Sequence, residues 1–378
     1  MTKVGIIANP ASGKDIRRLI AHGSVFDNQE KVNIVRRVML GLDAAGVDEV
    51  VFMPDYFGIG QRATDGLDLK LSVSTLEMRI EASQDDSTLA ARLMSEQDVG
   101  AIVTLGGDGT NRAVVKGNGE TPIMPISTGT NNVFPQMIEG TIAGLAAGMV
   151  ASGRLPLAET TDRQLRLEIQ RPVKGEPAAR MIDLALVDVV VYEENYIGSR
   201  AIWDMSKVRE ILLTRASPSS IGLSSVGGGL FCARLDRQHG VYIQLGEGGG
   251  GIELTAPIAP GMVEKVHVTK YRLLEIGDRI PITIKPSILA LDGEREVLVT
   301  PGDEVTSVVL SGRGPLLIDA HRTMDAAARR GLLTKVNPDL NLTAAAGWRG
   351  AACLLCAAGL CTDPPQQCIL EDNVYDQP

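Results

Sequence analysis

Val99-Gly100-Ala101-Ile102-Val103-Thr104-Leu105-Gly106-Gly107-Asp108-Gly109-Thr110 runs from a continuous apolar, β-rich stretch straight into glycine. Val99–Leu105 is short enough for a buried strand, and a strand buried on both faces carries an unbroken apolar run rather than an alternating one. Paired glycines at its carboxyl end let a backbone approach a phosphate without side-chain clash, and a helix starting there aims N–H groups at the anion. The same five residues, Gly106–Thr110, also suit an ordinary glycine turn that holds a helix cap.

Working outward, the first third alternates strand and helix patterns. Val4–Ala8 is a β-branched run stopped by Asn9-Pro10. Val32, Val35, Val38, Met39 and Leu42 fall on one helical face, closed by Gly46. Val50–Met53 reads as a strand, and Leu71–Ile80 as a strand with one irregularity near Thr75. Asp85 or Asp86 is expected to cap a helix running to about Gln97. Ile123–Ile126 is a further strand, followed by a helix over Val133–Ala151. Strands separated by helices of this length predict an open parallel sheet with helices on both faces.

Beyond residue 155 the pattern changes. Leu165–Gln170, Met181–Val191, Gly240–Gln244, Gly251–Leu254, Val263–Thr269, Ile280–Lys285, Ile288–Leu291, Arg295–Val299 and Val305–Leu310 all read as strands between turn signals, which predicts a β-rich, sandwich-like unit. One helix is expected at Asn195–Arg215 and a last one at His321–Leu332. The division is therefore an α/β nucleotide-binding domain over 1–155, a β-rich domain over 156–320, a C-terminal helix over 321–334, and a weakly ordered, cysteine-rich tail over 335–378.

Composition bounds the function. The 378 residues carry 37 Lys and Arg against 46 Asp and Glu, a net charge of −9, with only 2 Trp, 6 Tyr and 5 Phe. Such a chain lacks both the cationic groove and the stacking platforms of a nucleic-acid binder. No apolar run approaches the roughly 18 residues of a membrane span, and Val4–Ala8 is too short for a signal-peptide core, which points to a cytoplasmic protein. Cys232 stands apart from Cys353, Cys356, Cys361 and Cys368, so no disulfide framework crosses the fold. The four tail thiols could bind Zn²⁺ or an iron–sulfur cluster, but they lack the spacing of a standard knuckle pair and read as a non-functional extension, and His22, His239, His267 and His321 show no ligand spacing.

Two further strand ends resemble the first. Pro125-Ile126-Ser127-Thr128-Gly129-Thr130-Asn131-Asn132 enters a hydroxyl- and amide-rich turn, whose Thr128, Thr130, Asn131 and Asn132 suit phosphate or ribose donors; Asn132 equally suits a helix N-cap. Asn9-Pro10-Ala11-Ser12-Gly13-Lys14 is not a P-loop, because Asp15 follows Lys14, yet it can form a strand-end phosphate loop. Gly58-Ile59-Gly60-Gln61-Arg62-Ala63 matches a loose dinucleotide fingerprint but does not follow a strand directly.

Taken in order, Asn-Pro-x-Ser-Gly-Lys, Gly-Gly-Asp-Gly-Thr and Thr-Gly-Thr-Asn-Asn, followed by a β-rich half, resemble the NAD kinase and diacylglycerol kinase-like superfamily over roughly residues 3–332. Within it the chain looks most like the ATP-NAD kinase-like branch associated with acetoin catabolism. The resemblance implies an NAD kinase-like fold and an ATP-dependent phosphotransferase using Mg²⁺, with NAD phosphorylated to NADP. Asp108 takes the catalytic place. Asn9, Ser12, Gly13, Lys14, Gly106, Gly107, Gly109, Thr110, Thr128, Gly129, Thr130, Asn131 and Asn132 take the nucleotide-binding places.

The family's Asn-acid pair in the second domain corresponds to Val187-Asp188, which keeps the acid and loses the Asn. Leu291-Asp292-Gly293-Glu294 resembles the Asp-Gly-Glu of the lipid-kinase branch. Asp188, Asp292 and Glu294 are thus acceptor-binding candidates, and Asp292-Gly293 equally reads as a type I′ hairpin turn. No residue is assigned as a metal ligand beyond Asp108 through Mg²⁺. The same resemblance leaves two other functions open: a kinase for another hydroxyl compound or lipid, or a nucleotide-binding accessory protein without turnover. It also implies small-molecule nucleotide partners and a homo-oligomer. An aspartate at its ordinary pKa of about 3.9 is ionised at pH 7, so Asp108 is expected to act without a large shift.

Overall fold

The structure, a computed structural model, describes residues 1–12, 26–129, 132–176, 178–194, 205–231, 238–246, 251–303 and 305–334. The expected cysteine-rich tail, Cys232 and the glycine-rich segment 247–250 lie outside the described residues.

In chain order the first part contains β1 (Lys3–Ala8), α1 (Asn28–Ala44), β2 (Glu49–Phe52), α2 (Ile59–Thr64), β3 (Ser72–Thr75), α3 (Gln84–Glu96), β4 (Ala101–Gly106), α4 (Asp108–Val115), β5 (Ile123–Ser127), α5 (Gly140–Ala151), α6 (Leu157–Thr160) and β6 (Thr161–Arg163). The second part contains β7 (Arg166–Arg171), β8 (Arg180–Ala185), β9 (Asp188–Tyr192), β10 (Val208–Leu213), α7 (Ser224–Leu230), β11 (His239–Leu245), β12 (Ile252–Ala259), β13 (Met262–Glu275), β14 (Arg279–Pro281), β15 (Ser287–Leu291), β16 (Glu294–Val299), β17 (Ser307–Ser311), β18 (Leu316–Ile318) and α8 (Ala320–Arg329).

The first sheet has the order β3-β2-β1-β4-β5-β18-β6. β1 to β5 are parallel, and β18 returns from the second part to lie parallel to β5. Their apolar runs demand cover on both faces. α1 and α5 supply one cover through Val35, Val38, Leu42, Ala143 and Ala147, and α3 and α4 supply the other through Ala90, Ala91, Met94 and Val114. Strand order reverses at β1, with β2 and β3 added on one side and β4 and β5 on the other, so the crevice beyond the carboxyl ends of β1 and β4 is a topological switch point, where open α/β sheets bind ligands.

The second part forms two antiparallel sheets, β12-β13-β11-β10-β9-β15-β16 and β14-β17-β7-β8. Leu167, Ile169, Val308 and Leu310 of the small sheet pack on Val189, Val191, Leu212 and Leu289 of the large one. This is the expected β-rich, sandwich-like arrangement.

Several local expectations are corrected. The described part of the Asn195–Arg215 helix is a 3₁₀ turn at Met205–Lys207 followed by β10, whose β-branched and leucine residues pair between β9 and β11. Ser83, not Asp85 or Asp86, caps α3, and the Asp86 carboxylate instead accepts the Glu81 N–H. Met181–Val191 is two strands, broken at Leu186-Val187 where the N–H groups turn toward a carboxylate. The helix expected from Val133 begins only at Gly140, capped by Glu139.

Candidate functional site

Three turns leave the carboxyl ends of β1, β4 and β5 side by side. The Asn9 side-chain amide donates to Thr110 Oγ1 at 3.0 Å, and its backbone N–H donates to the Leu105 carbonyl at 3.1 Å. Ser12 Oγ lies 3.2 Å from Thr128 Oγ1. The described members of all three motifs are thus brought together, as their positions at adjacent strand ends require. Gly13, Lys14, Thr130 and Asn131 lie outside the described residues.

Gly107 is the N-cap of α4 and gives it no side-chain cap. The first N–H groups of an α-helix have no partner inside it, so this terminus presents donors to the crevice. Gly107 is also a close approach: a Cβ there would fall 2.7 Å from Asn132 Oδ1. Asn132 does not cap a helix. Its amide donates to Ser127 Oγ at 2.8 Å and to the Gly129 carbonyl, closing the third turn on itself.

Asp108 opens α4, and its carboxylate reaches across to that third turn. Oδ1 accepts the N–H groups of Val133 at 3.1 Å and Phe134 at 2.8 Å, and Oδ2 accepts Val133 at 3.1 Å. These bonds hold residues 133 and 134 out of a helix. Burial, and then the Asp292 carboxylate, push the Asp108 pKa up to about 7, against the Phe134 and Val133 N–H groups and the Arg215 guanidinium. This corrects the expectation of an unshifted aspartate. A helix N-terminus stabilises an anion by about 0.3–1 kcal/mol, under one pKa unit, and burial outweighs it here.

Asp292 comes from the other part of the chain. Leu291 and Glu294 pair across the β15–β16 hairpin, with Asp292 and Gly293 at φ 51° and 81° as the two turn residues. Both central positions of a type I′ turn need positive φ, so the hairpin expectation and the site expectation meet in one dipeptide. The Asp292 side chain is fully buried, and its carboxylate accepts N–H groups from Leu186, Val187 and Asp188 at 2.8–3.3 Å. Burial raises its pKa, and Arg112 is the main counterweight.

Arg112, one turn beyond Asp108 on α4, is 1% exposed and sits among acids. Its Nε is 3.8 Å from Asp292 Oδ2, and its other nitrogens lie 3.6 Å from Asp183 and 3.0 Å from Glu296. Burial opposes its charge, but Asp292, Asp183, Glu296 and Glu294 outweigh burial and hold its pKa above the ordinary value. Glu294 accepts the Gln84 amide at 2.9 Å, and its Oε1 is 3.4 Å from where a Cβ on Gly109 would stand. Asp188 is buried, while Val187 packs in the apolar core with Leu184 and Leu186 rather than lining the crevice.

Arg112, Asp183, Glu296 and Lys31 were not among the expected site residues. Arg112 had a legible signal, since it follows Asp108 by one helical turn. Lys31 had another: with Val35, Val38 and Leu42 it lies on the buried stripe of α1.

Among the described residues, no group of three His, Cys, Asp or Glu side chains could hold a metal ion. Magnesium is commonly held by one or two carboxylates together with substrate phosphates; Asp108, at the head of α4, is the carboxylate that would hold it, a role alternative to accepting a proton. No helix among the described residues is long and apolar enough to cross a membrane.

The family model described as ATP-NAD kinase N-terminal domain matches residues 4–154. The model described as acetoin catabolism protein X C-terminal domain matches residues 166–311. "Acetoin catabolism protein X" of Cupriavidus necator is 41% identical over 338 residues, covering 87% of this chain and 93% of that protein. Among solved structures, "Crystal structure of a putative diacylglycerol kinase from Bacillus anthracis str. Sterne" aligns over 84% of this chain and 97% of its own, at 13% identity and a TM-score of 0.39. The parallel-sheet part of the chain has an NAD kinase-like fold, and the remainder is antiparallel and β-rich.

Proposed function

Because the chain belongs to the acetoin catabolism protein X family, with an NAD kinase-like N-terminal domain, we propose that it is an ATP-dependent small-molecule kinase that phosphorylates NAD to NADP, with Asp108 at the transfer site. The observation that supports this reading is the placement of Asp108. Its carboxylate is fixed by two backbone N–H groups at an uncapped helix N-terminus and has a pKa of about 7.

Phosphoryl transfer asks a protein for position, charge stabilisation and a proton acceptor, and for little covalent chemistry. A proton acceptor works best with a pKa near the working pH, and Asp108 has that value. In this reading the first N–H groups of α4 and the side chains of Asn9, Ser12 and Thr128 hold the phosphates of the donor, and Asn132 Oδ1 accepts from its ribose. Asp108 Oδ2 accepts the proton of the acceptor hydroxyl. Magnesium, when bound, supplies neutralising charge to the phosphates.

A second acceptor class is favoured by one observation. Position 187, where the NAD kinase pattern expects Asn, is a core valine, while Glu294 of the Asp-Gly-Glu segment stands against Gly109. That arrangement suits another hydroxyl compound, including a lipid. Incubation with γ-labelled ATP, Mg²⁺ and a panel of NAD, nucleosides, polyols and diacylglycerol separates the readings. Label in NADP supports the first and label elsewhere the second. ATP binding without transfer to any acceptor would mark an accessory protein.

A further inference from the structure

Lys31 lies in the first turn of α1 and is fully buried. Its ammonium donates to the backbone carbonyls of Asn9 at 2.9 Å, Pro10 at 3.3 Å and Ser12 at 2.6 Å, and to Asn28 Oδ1 at 3.1 Å. Position alone does not favour a lysine here. Burying an ammonium is costly, and the first turn of a helix is the positive end of its dipole. A neutral side chain would fill the apolar stripe of Val35, Val38 and Leu42 at lower cost.

What the lysine gathers is the loop after β1. That loop supplies Asn9, bonded to Thr110, and Ser12, against Thr128. Its Ala11 N–H closes on Asn9 Oδ1 at 2.9 Å, and its Ser12 N–H closes on the Asn9 carbonyl at 3.3 Å. Carbonyl oxygens are the negative ends of peptide dipoles, and three of them facing a phosphate would repel it. With those three oxygens drawn onto one buried ammonium, the Asn9 and Ser12 side chains are set against Thr110 and Thr128 at the crevice.

We infer that Lys31 is a positioning residue for an anionic, phosphate-bearing ligand, acting through the Asn9–Ser12 loop rather than by touching the ligand. The inference rests on the nucleotide-binding part of the proposed function. It differs from a general stabilising role in one respect: it concerns the phosphates and not the nucleoside.

The test compares Kd for ATP and for adenosine in the wild-type protein, Lys31→Met and Lys31→Arg. Lys31→Met should weaken ATP by about tenfold or more while changing adenosine by less than about threefold, and Lys31→Arg should restore much of the loss. Equal losses for both ligands, or an unchanged Kd for ATP, would overturn the inference and leave the kinase reading standing. A wild-type protein that binds no ATP would overturn both. If Lys31→Met does not fold, amide hydrogen exchange of the wild-type protein decides. The Ser12 N–H should exchange as slowly as the amides of β1, and rapid exchange contradicts a loop held by Lys31.

Discussion

Arg112 and Asp292 come from opposite parts of the chain and face each other in the junction, with Nε 3.8 Å from Oδ2 and both side chains at most 1% exposed. Breaking such a pair by removing one member leaves the other charge buried without its counterweight, which typically costs about 3–5 kcal/mol. Arg112→Met should therefore lower stability by that order, read as a drop in the denaturation midpoint at an unchanged m-value. A loss under about 0.5 kcal/mol, the size of a surface change, would show that the junction does not depend on this pair.

The raised pKa of Asp108 gives the proposed activity a pH signature. Below about pH 7 the carboxyl is protonated and cannot accept a proton, so kcat/KM should rise with an apparent pKa of about 7. Asp292 is one cause of that shift, so Asp292→Asn should move the rising limb to lower pH. A limb that stays in place would assign it to another group.

The same shift has a stability consequence of the opposite sense. A carboxyl whose folded pKa lies above its ordinary 3.8 favours the folded state at pH below that value. The contribution is lost as pH rises through about 7. Asp108→Asn removes the ionisation and keeps an oxygen for the Val133 and Phe134 N–H groups. Its melting temperature at pH 8 should equal or exceed that of the wild-type protein, even as transfer activity disappears. A lower melting temperature at pH 8 would show that the ionised form is the one the fold favours.

Gly107 tests the contact between two of the turns. In Gly107→Ala the new methyl meets Asn132 Oδ1 at 2.7 Å, and the amide must swing away from Ser127 and Gly129. We expect a loss of about 1–3 kcal/mol, the usual cost of overpacking, together with weaker nucleotide binding. Unchanged binding would remove Asn132 from the site.

Much of this is legible in the sequence. The apolar run ending in Gly106-Gly107 and the three loops at adjacent strand ends follow from a parallel sheet whose loops gather at the switch point. Asp292-Gly293 was legible as a turn because only a few residue types tolerate its backbone. What local sequence hid was long-range. Val133 and Phe134 look helical by pattern, yet Asp108, 25 residues earlier, takes their N–H groups. The 208–213 stretch has helical spacing, yet pairing with β9 and β11 makes it a strand. The pKa of Asp108 depends on a carboxylate 184 positions away in sequence, which no local pattern encodes. Lys31 stood on an apolar stripe, but three of the acceptors it gathers are backbone carbonyls, which leave no mark on residue type.

The proposed role of Asp108 in phosphoryl transfer is tested by product formation from the wild-type protein and Asp108→Asn under identical ATP, Mg²⁺ and NAD. The wild-type protein should form NADP, and a folded Asp108→Asn variant none above background. Equal NADP formation by the two proteins would contradict it.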